Sequence, residues 1–465
     1  MHLHVHEIVS ACKGKLLDGT AHEAPITAVC IDTRKITPGA LFVPLKGERV
    51  DGHEFIKQAE TAGASCVLTE RVSFPEAETL QIPAILVNST RQALMDLAAY
   101  YRNKHDVKVI AVTGSAGKTT TKEMMACLFA QRFKTKKTMG NFNNDIGLPL
   151  SIFQLEEDTQ VLVLEMGMNH ANEITELSKT GAPDMVLITH IGDAHIENFE
   201  NREGILHAKL EITDGLKSGG TVILNGDDPL LTGPITAEKV RPFKTLYPSS
   251  ENIISTEPNG LTSTHCHFRI QDKDIYLTIP LPGNHMVMNA LLAVTAAVEM
   301  GLNPGEIANG FDAMEVPGGR LSVFKSDGIT VINDAYNANP ASMMEAIKVL
   351  MHDTPETKPT RRVCILGDMN ELGHVSEDRH RELGIYTAGS GIDLLVTIGP
   401  MAKWLHEGYL SATERVFSAL YFPDVQSFLP QISTLLFPGD IVLIKASRGM
   451  AFEQIVTELN RVANP

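Results

Sequence analysis

The stretch VIAVTGSAGKTTTKEM, from Val109 to Met124, closes an apolar run with two glycines, a lysine and three threonines. That spacing suits a phosphate. Gly114, Ser115, Ala116 and Gly117 can offer backbone N–H groups, and a helix beginning there turns its positive end toward the anion. Lys118 would meet the terminal phosphates of a nucleotide, and a hydroxyl from Thr119 or Thr120 would reach magnesium. The usual pattern G-x-x-x-x-G-K-[ST] puts a glycine where this chain has Val112. The plainer alternative is a tight strand-to-helix turn with an exposed lysine.

Other residues could join that chemistry. VLVLEMGMNH ends a buried strand pattern on Glu165, an acidic side chain able to hold magnesium directly or through water. MVLITHIGDAHIENF sets His190 and His195 just past another strand, on the side of an open α/β sheet where ligands bind. The helix pattern ENREGILHAKLEITDGL carries Lys209 among apolar neighbours. An ammonium beside a metal is repelled, so the plainer alternative is that Lys209 snorkels to water, and composition alone does not decide between the two. His265, Cys266 and His267 form a trio of ligand types, but strand neighbours face opposite ways and the trio reads as incidental.

Three blocks of chain must position these groups. The first, to about residue 84, contains ITAVCIDTRKITPGALFVPLKGERVDGHEF, with short apolar runs and a Pro38-Gly39 turn signal; it predicts a small α/β module. After a helical connector, RQALMDLAAYYRNKH, the second block alternates strands and helices through KVIAVTG, VLVLEMG, MVLITHIG and TVILNGDD, the signature of a parallel sheet covered on both faces. Past Pro248, HFRIQDKDIYLTIPLPG alternates as antiparallel strands do, and an apolar helix follows from Met286 to Met300. A third block begins near VPGGRL, where ITVINDAY, RRVCILGDM, LLVTIG and DIVLIKAS predict a second doubly wound sheet.

The bulk properties bound the function. A chain of 465 residues exceeds one ordinary core. Its formal charge of -16 argues against a basic track for nucleic acid. MHLHVHEIVSACKGKLL lacks the apolar centre of a signal peptide, and MNALLAVTAAVEMGL, the nearest approach to a membrane span, is interrupted by Glu299. No membrane insertion is expected, and six scattered cysteines fit a reducing, cytoplasmic setting.

Taken in order, TGSAGKTTTK, GNFNNDIGLPLSI, EMGMNHANEI, THIGDAHIENF, AKLEI, NGDDP, PGNHMVMNALLA, PGGR and NDAYNANPASM resemble the Mur ligase family of peptidoglycan precursor synthesis. The similarity covers essentially the whole chain, and GDMNELG and KASRGM make it most similar to the members that add D-alanyl-D-alanine. The family loop is G-x-x-G-K-T-T, which Gly114 to Thr120 spells, so Val112 is no defect. The resemblance implies an α/β fold of three domains. These are a small N-terminal α/β module for the UDP-linked substrate (1–84), a central P-loop parallel-sheet ATPase domain (85–315), and a C-terminal Rossmann-like domain (316–465) that closes over ATP and binds the incoming dipeptide. The implied reaction is ATP-dependent joining of D-alanyl-D-alanine to UDP-N-acetylmuramoyl-tripeptide through an acyl phosphate, by a monomer.

Carried over by motif, Lys118 would bind the ATP phosphates and Thr119 would ligate Mg2+, with Glu165 and His195 also holding the metal. Lys209, in A-K-x-E-I, would be carbamylated, and the anionic carbamate removes the repulsion noted above. Asn289 would recognise adenine, Arg320 would meet ATP phosphates, Asp334 would contact the ribose, and Asn337 and Asn339 would shape the closed site. Asp32, Thr33, Arg34, Lys46 and Gly47 match the family's UDP-binding module. Asn144 would lie near the acceptor carboxylate, and Lys445, Ser447 and Arg448 would contact the dipeptide. The glycines of VPGGR stand where a hinge would be placed. Two kinds of rival share the loop. A sister ligase adding the third amino acid, or a folylpolyglutamate synthetase, is disfavoured by YNANP, GDMNELG and the DTR and LKG segments; a nucleotide-driven switch would form no peptide product. Whether the acceptor ends in lysine or diaminopimelate stays open.

Overall fold

A computed structural model describes residues 1–17, 25–73, 79–316, 318–352, 361–414 and 418–462. Of the expected hinge segment VPGGR, Pro317 lies outside the described residues.

The central sheet has six parallel strands in the spatial order Lys244–Leu246, Thr221–Leu224, Met185–Ile188, Lys108–Thr113, Val161–Glu165 and Thr135–Lys137. Apart from Lys108, the four middle strands are buried along their whole length. Both faces are covered, which is why these segments read as continuous apolar runs. The first strand in the chain, Lys108–Thr113, lies between Val161–Glu165 and Met185–Ile188. Strand order therefore reverses beside it, and the loop leaving it opens into the crevice where such sheets bind ligands.

The N-terminal sheet runs Lys15–Leu16, Ala84–Leu86, Ala64–Thr69, Ala40–Phe42 and Ala28–Cys30, parallel except at its first pairing. The helix Thr90–Asn103 leads from it toward the central sheet, started by Ser89, whose hydroxyl accepts from Gln92 N at 3.2 Å. The expected antiparallel segment is a meander of Ile253–Asn259, Ser263–Ile270 and Lys273–Ile279. Its middle strand buries Thr264, Cys266, Phe268 and Ile270 and exposes His265 and Arg269, so the His-Cys-His trio is split between two faces. The outer strand Ile253–Asn259 is almost wholly exposed. The apolar helix that follows spans Asn284–Glu299 and packs on the helix Lys118–Phe129.

The C-terminal sheet orders Ser322–Ser326, Ile329–Asn333, Asp440–Lys445, Arg361–Gly367, Leu394–Ile398 and Ala419–Phe422. Only the first pairing is antiparallel. Neighbouring strands thus deliver two loops to the same edge, Asp368–Glu371 and Ala446–Arg448. Among the described residues, no helix is long and apolar enough to cross a membrane.

Candidate active site

The glycine loop is built to approach something closely. Gly114 and Gly117 have φ of 146° and 81°, and a Cβ on them would lie 1.9 Å from Thr189 Oγ1 and 2.5 Å from Asn289 Oδ1. Neither position has room for a side chain. The loop is pinned to the next strand end, because Ser115 N donates to His190 O at 2.8 Å and Ser115 Oγ to Gly192 O at 3.2 Å. Helix Lys118–Phe129 starts at once, with Gly117 as its cap. Lys118 is half-buried rather than exposed, and its Nζ donates to Gly114 O at 2.7 Å. Burial lowers its pKa, and the Glu165 charge opposes that shift. Thr119 and Thr120 are both buried and both line the cavity below.

Glu165 ends its strand directly beside Val112 and is 1% exposed. Asn143 Nδ2 donates to its Oε1 at 2.9 Å, and the fully buried Lys122 ammonium lies 3.7 Å from Oε2. Oε2 has no hydrogen-bond partner. His195 sits at the start of the turn Ile196–Asn198, and its Nδ1 lies 2.7 Å from Glu371 Oε2 of the C-terminal sheet, off the line of an aligned hydrogen bond.

For Lys209 the structure decides against the plainer alternative. It does not snorkel: on the helix Arg202–Leu210 it is 0% exposed, and its Nζ has no partner. Burial pushes its pKa well below the ordinary lysine value, and the charge of Lys118 pushes the same way. Both influences disfavour the charged ammonium. Among the described residues no three His, Cys, Asp or Glu side chains gather as a ready-made metal cage. Three orphaned buried atoms, Glu165 Oε2, His195 Nδ1 and Lys209 Nζ, nonetheless belong to three of the four residues expected to serve a metal, Thr119 being the fourth.

The C-terminal sheet completes the cleft. Arg320 reaches across so that Nη2 donates to Thr119 Oγ1 at 2.9 Å, and its guanidinium lies 4.0 Å over the Tyr336 ring. Arg448 stacks on the same ring at 5.2 Å. Asp334 pairs with the buried Lys445, whose Nζ also donates to Asn337 O at 2.9 Å. A cavity of about 280 Å³ is lined by the glycine loop, Lys118, Glu165, His195, Asn289, Arg320, Asp334, Asn337, Asn339 and Arg448. Asn339 also caps the helix Pro340–Leu350, accepting from Ser342 N at 2.9 Å.

Other expected residues lie elsewhere. Ser447 is buried behind the cavity, where its Oγ accepts from Asn370 N at 2.9 Å. Asn144 lies in the turn before the helix Gly147–Ile152, its Oδ1 accepting from Gly147 N at 2.9 Å. It lines a second cavity of about 590 Å³, which shares Asn143, Gly167, Met168 and Asn169 with the first. Asp32 caps the turn Thr33–Lys35 and pairs with the exposed Arg34 at 2.8 Å, while the Lys46 backbone pairs with that of Asp51 in an isolated antiparallel β-bridge. None of these lines the phosphate cavity. Sequence reasoning passed over Asn143, Lys122, Tyr336 and Glu371. All four lie inside or beside motifs already singled out.

A glycine loop at the reversal point of one parallel sheet, closed by an arginine from a second, defines a nucleotide-binding α/β protein whose cleft is shared between domains. Comparison with known proteins agrees. Residues 25–102 match the Mur ligase family catalytic domain, 112–297 the Mur ligase middle domain, and 319–448 the Mur ligase glutamate ligase domain. The chain is 39% identical over 456 residues to the UDP-N-acetylmuramoyl-tripeptide–D-alanyl-D-alanine ligase of Bacillus subtilis (strain 168), covering 98% of each. Its fold is similar to MurF from Acinetobacter baumannii, with a TM-score of 0.90, 30% identity and 99% of each chain covered. It is also similar to MurF ligase from Thermotoga maritima in complex with ADP, at TM-score 0.81 and 27% identity, covering 94% of this chain and 98% of that one. The chain belongs to the Mur ligase family.

Proposed function

We propose that this chain is an ATP-dependent amide ligase that joins D-alanyl-D-alanine to UDP-N-acetylmuramoyl-tripeptide, giving the UDP-linked pentapeptide precursor of peptidoglycan with ADP and phosphate. The observation that carries this reading is the one cavity lined by Lys118, Glu165, His195, Asn289 and Arg320, drawn from two sheets.

A carboxylate is a poor acceptor for an amine because oxide is a poor leaving group. Attack of a carboxylate oxygen on the γ-phosphorus releases ADP and leaves an acyl phosphate. The dipeptide amine then attacks the carbonyl carbon, and phosphate departs with one of the original carboxylate oxygens. The protein's part is placement and charge stabilisation. Lys118 and Arg320 supply positive charge to the phosphoryl oxygens, and the loop N–H groups fix the β-phosphate. Asn289, beside Gly117, would meet the adenine, and Asp334, on the same cavity wall, would contact the ribose. The second cavity, continuous with the first at Asn143 and Gly167, is the acceptor's approach, with Asn144 on its wall.

Magnesium would be held by Glu165, His195 and Thr119 or Thr120, and would supply divalent charge between the transferred phosphoryl oxygens. Lys209 is proposed as a carbamate. An unpartnered, buried, neutral amine is the form that adds CO2 with loss of a proton, and the product anion faces Lys118 favourably. Residues 1–84 take the UDP portion through Asp32, Thr33, Arg34 and Lys46, residues 85–315 hold ATP, and residues 316–465 close with Asn337, Asn339, Ser447 and Arg448 toward the dipeptide. Six free cysteines support a cytoplasmic setting.

The test uses oxygen-labelled acceptor carboxylate, D-alanyl-D-alanine and ATP. Label should appear in released phosphate in step with peptide formation; label kept wholly in the peptide overturns the acyl phosphate. Running lysine- and diaminopimelate-ended acceptors side by side identifies the third residue.

A further inference from the structure

His195 and Glu371 come from different domains, yet Nδ1 of one lies 2.7 Å from Oε2 of the other. Both residues have left-handed backbones, with φ of 63° and 65°. That conformation is costly for side chains of this kind and persists only where surrounding structure enforces it. On the Glu371 side the enforcement is visible. Asp368 Oδ1 accepts from Ala402 N at 2.6 Å, Met369 N donates to His380 Nε2 at 3.0 Å, and Asn370 N donates to Ser447 Oγ at 2.9 Å.

The seam between the two loops is tight. A Cβ on Gly373 would lie 2.7 Å from Glu197 Cβ, and Glu197 N donates to Glu371 O at 3.4 Å. Arg379 Nε approaches Asp193 Oδ2 at 3.3 Å on the same seam. The Glu371 carboxylate is therefore delivered by a fixed loop to a buried ring nitrogen that has no aligned partner of its own. An imidazole whose Nδ1–H is claimed by a carboxylate keeps Nε2 as its lone-pair donor, with the ring held in one orientation.

We propose that Glu371 is a positioning residue for His195: it accepts Nδ1–H, fixes the ring and tautomer, and leaves Nε2 for the cation at the phosphate cavity. Because Glu371 arrives with the C-terminal domain, His195 is set only when that domain is closed. The inference rests on the reading of His195 as a metal-side residue.

The test uses the full chain with Mn2+ and ADP, bound Mn2+ being counted by electron paramagnetic resonance. Glu371→Ala should weaken Mn2+ binding by about 10- to 100-fold, the range typical of lost partners to metal-binding histidines. Ligase kcat should fall in parallel, while KM for D-alanyl-D-alanine moves by no more than about 2-fold, as expected when dipeptide binding is untouched. Glu371→Asp should recover part of the loss. Gly373→Ala leaves the carboxylate intact but adds a methyl where the seam has no room, and it should weaken Mn2+ as well. Wild-type Mn2+ affinity in both Glu371→Ala and Glu371→Leu overturns the proposal, as does a lowered Tm with unchanged Mn2+ binding. If Glu371→Ala does not fold, Glu371→Leu, which keeps bulk but cannot accept Nδ1–H, decides alone. A wild-type chain that makes no peptide, but binds Mn2+ in a Glu371-dependent way, overturns the ligase reading and leaves this one standing.

Discussion

Two loops leave the middles of two parallel sheets at equivalent places, one after Lys108–Thr113 and one after Arg361–Gly367. The first sets Gly114 and Gly117 so close to Thr189 and Asn289 that neither position could carry a side chain. The second, Asp368–Glu371, has side chains throughout and is fastened by His380, Ser447 and the N–H of Ala402. One loop presents bare N–H groups to a ligand, whereas the other presents a carboxylate to its neighbouring domain. The carboxyl edge of a doubly wound sheet is thus a general place for recognition, and glycine content decides whether a phosphate or a protein surface is recognised.

That contrast can be broken in order of expected effect. Lys118→Ala should cost the most, about 1000-fold in kcat for phosphate release, the scale of losing a preorganised charge at the transition state, with little change in Tm. Lys209→Ala should cost about 100-fold or more if the carbamate serves the metal, and a short carboxylate added to the assay should restore part of it; no rescue by any carboxylate would count against the carbamate.

Lys209 also predicts a pH dependence of stability in CO2-free buffer. Its folded pKa lies below the ordinary value of 10.5, so between the two values the unfolded chain binds more protons. Stability should therefore rise with pH through that window and level off above it. Lys209→Met should lack the slope, as read from urea unfolding at several pH values.

The second loop should fail differently. His380→Ala removes the acceptor for a buried N–H and leaves a cavity, so about 2–4 kcal/mol of stability should be lost in urea unfolding, while ADP still binds the first loop. Arg320→Lys keeps the charge but loses the fork to Thr119 and the stacking on Tyr336, and about a 10-fold fall in kcat/KM is expected. Smallest of all, Asp32→Ala should leave kcat and melting unchanged, because its pairing with Arg34 is solvent-exposed. Only KM for the UDP-linked acceptor should rise.

Much of the first loop was legible in the sequence, because a buried parallel strand ending in spaced glycines and a lysine has few other uses. Glu165 was legible for the same reason, as the end of an apolar run. Lys209 was not, since helical periodicity assigns a face but cannot say that the face is sealed. Asn143 carried no signal of its own beside Asn144, because its bond to Glu165 joins segments 22 residues apart in the chain. Glu371 and Tyr336 sat in quoted motifs without a role, because their contacts exist only where two domains meet and no local pattern encodes that meeting.

The exposed outer strand Ile253–Asn259 carries a last consequence, for how the molecule behaves when concentrated. An unpaired strand edge invites a second chain to add to the sheet. Here Pro258 has no N–H to offer and Glu257 brings a charge to the same edge. The edge at Ile253–Asn259 is therefore a poor template for a further strand.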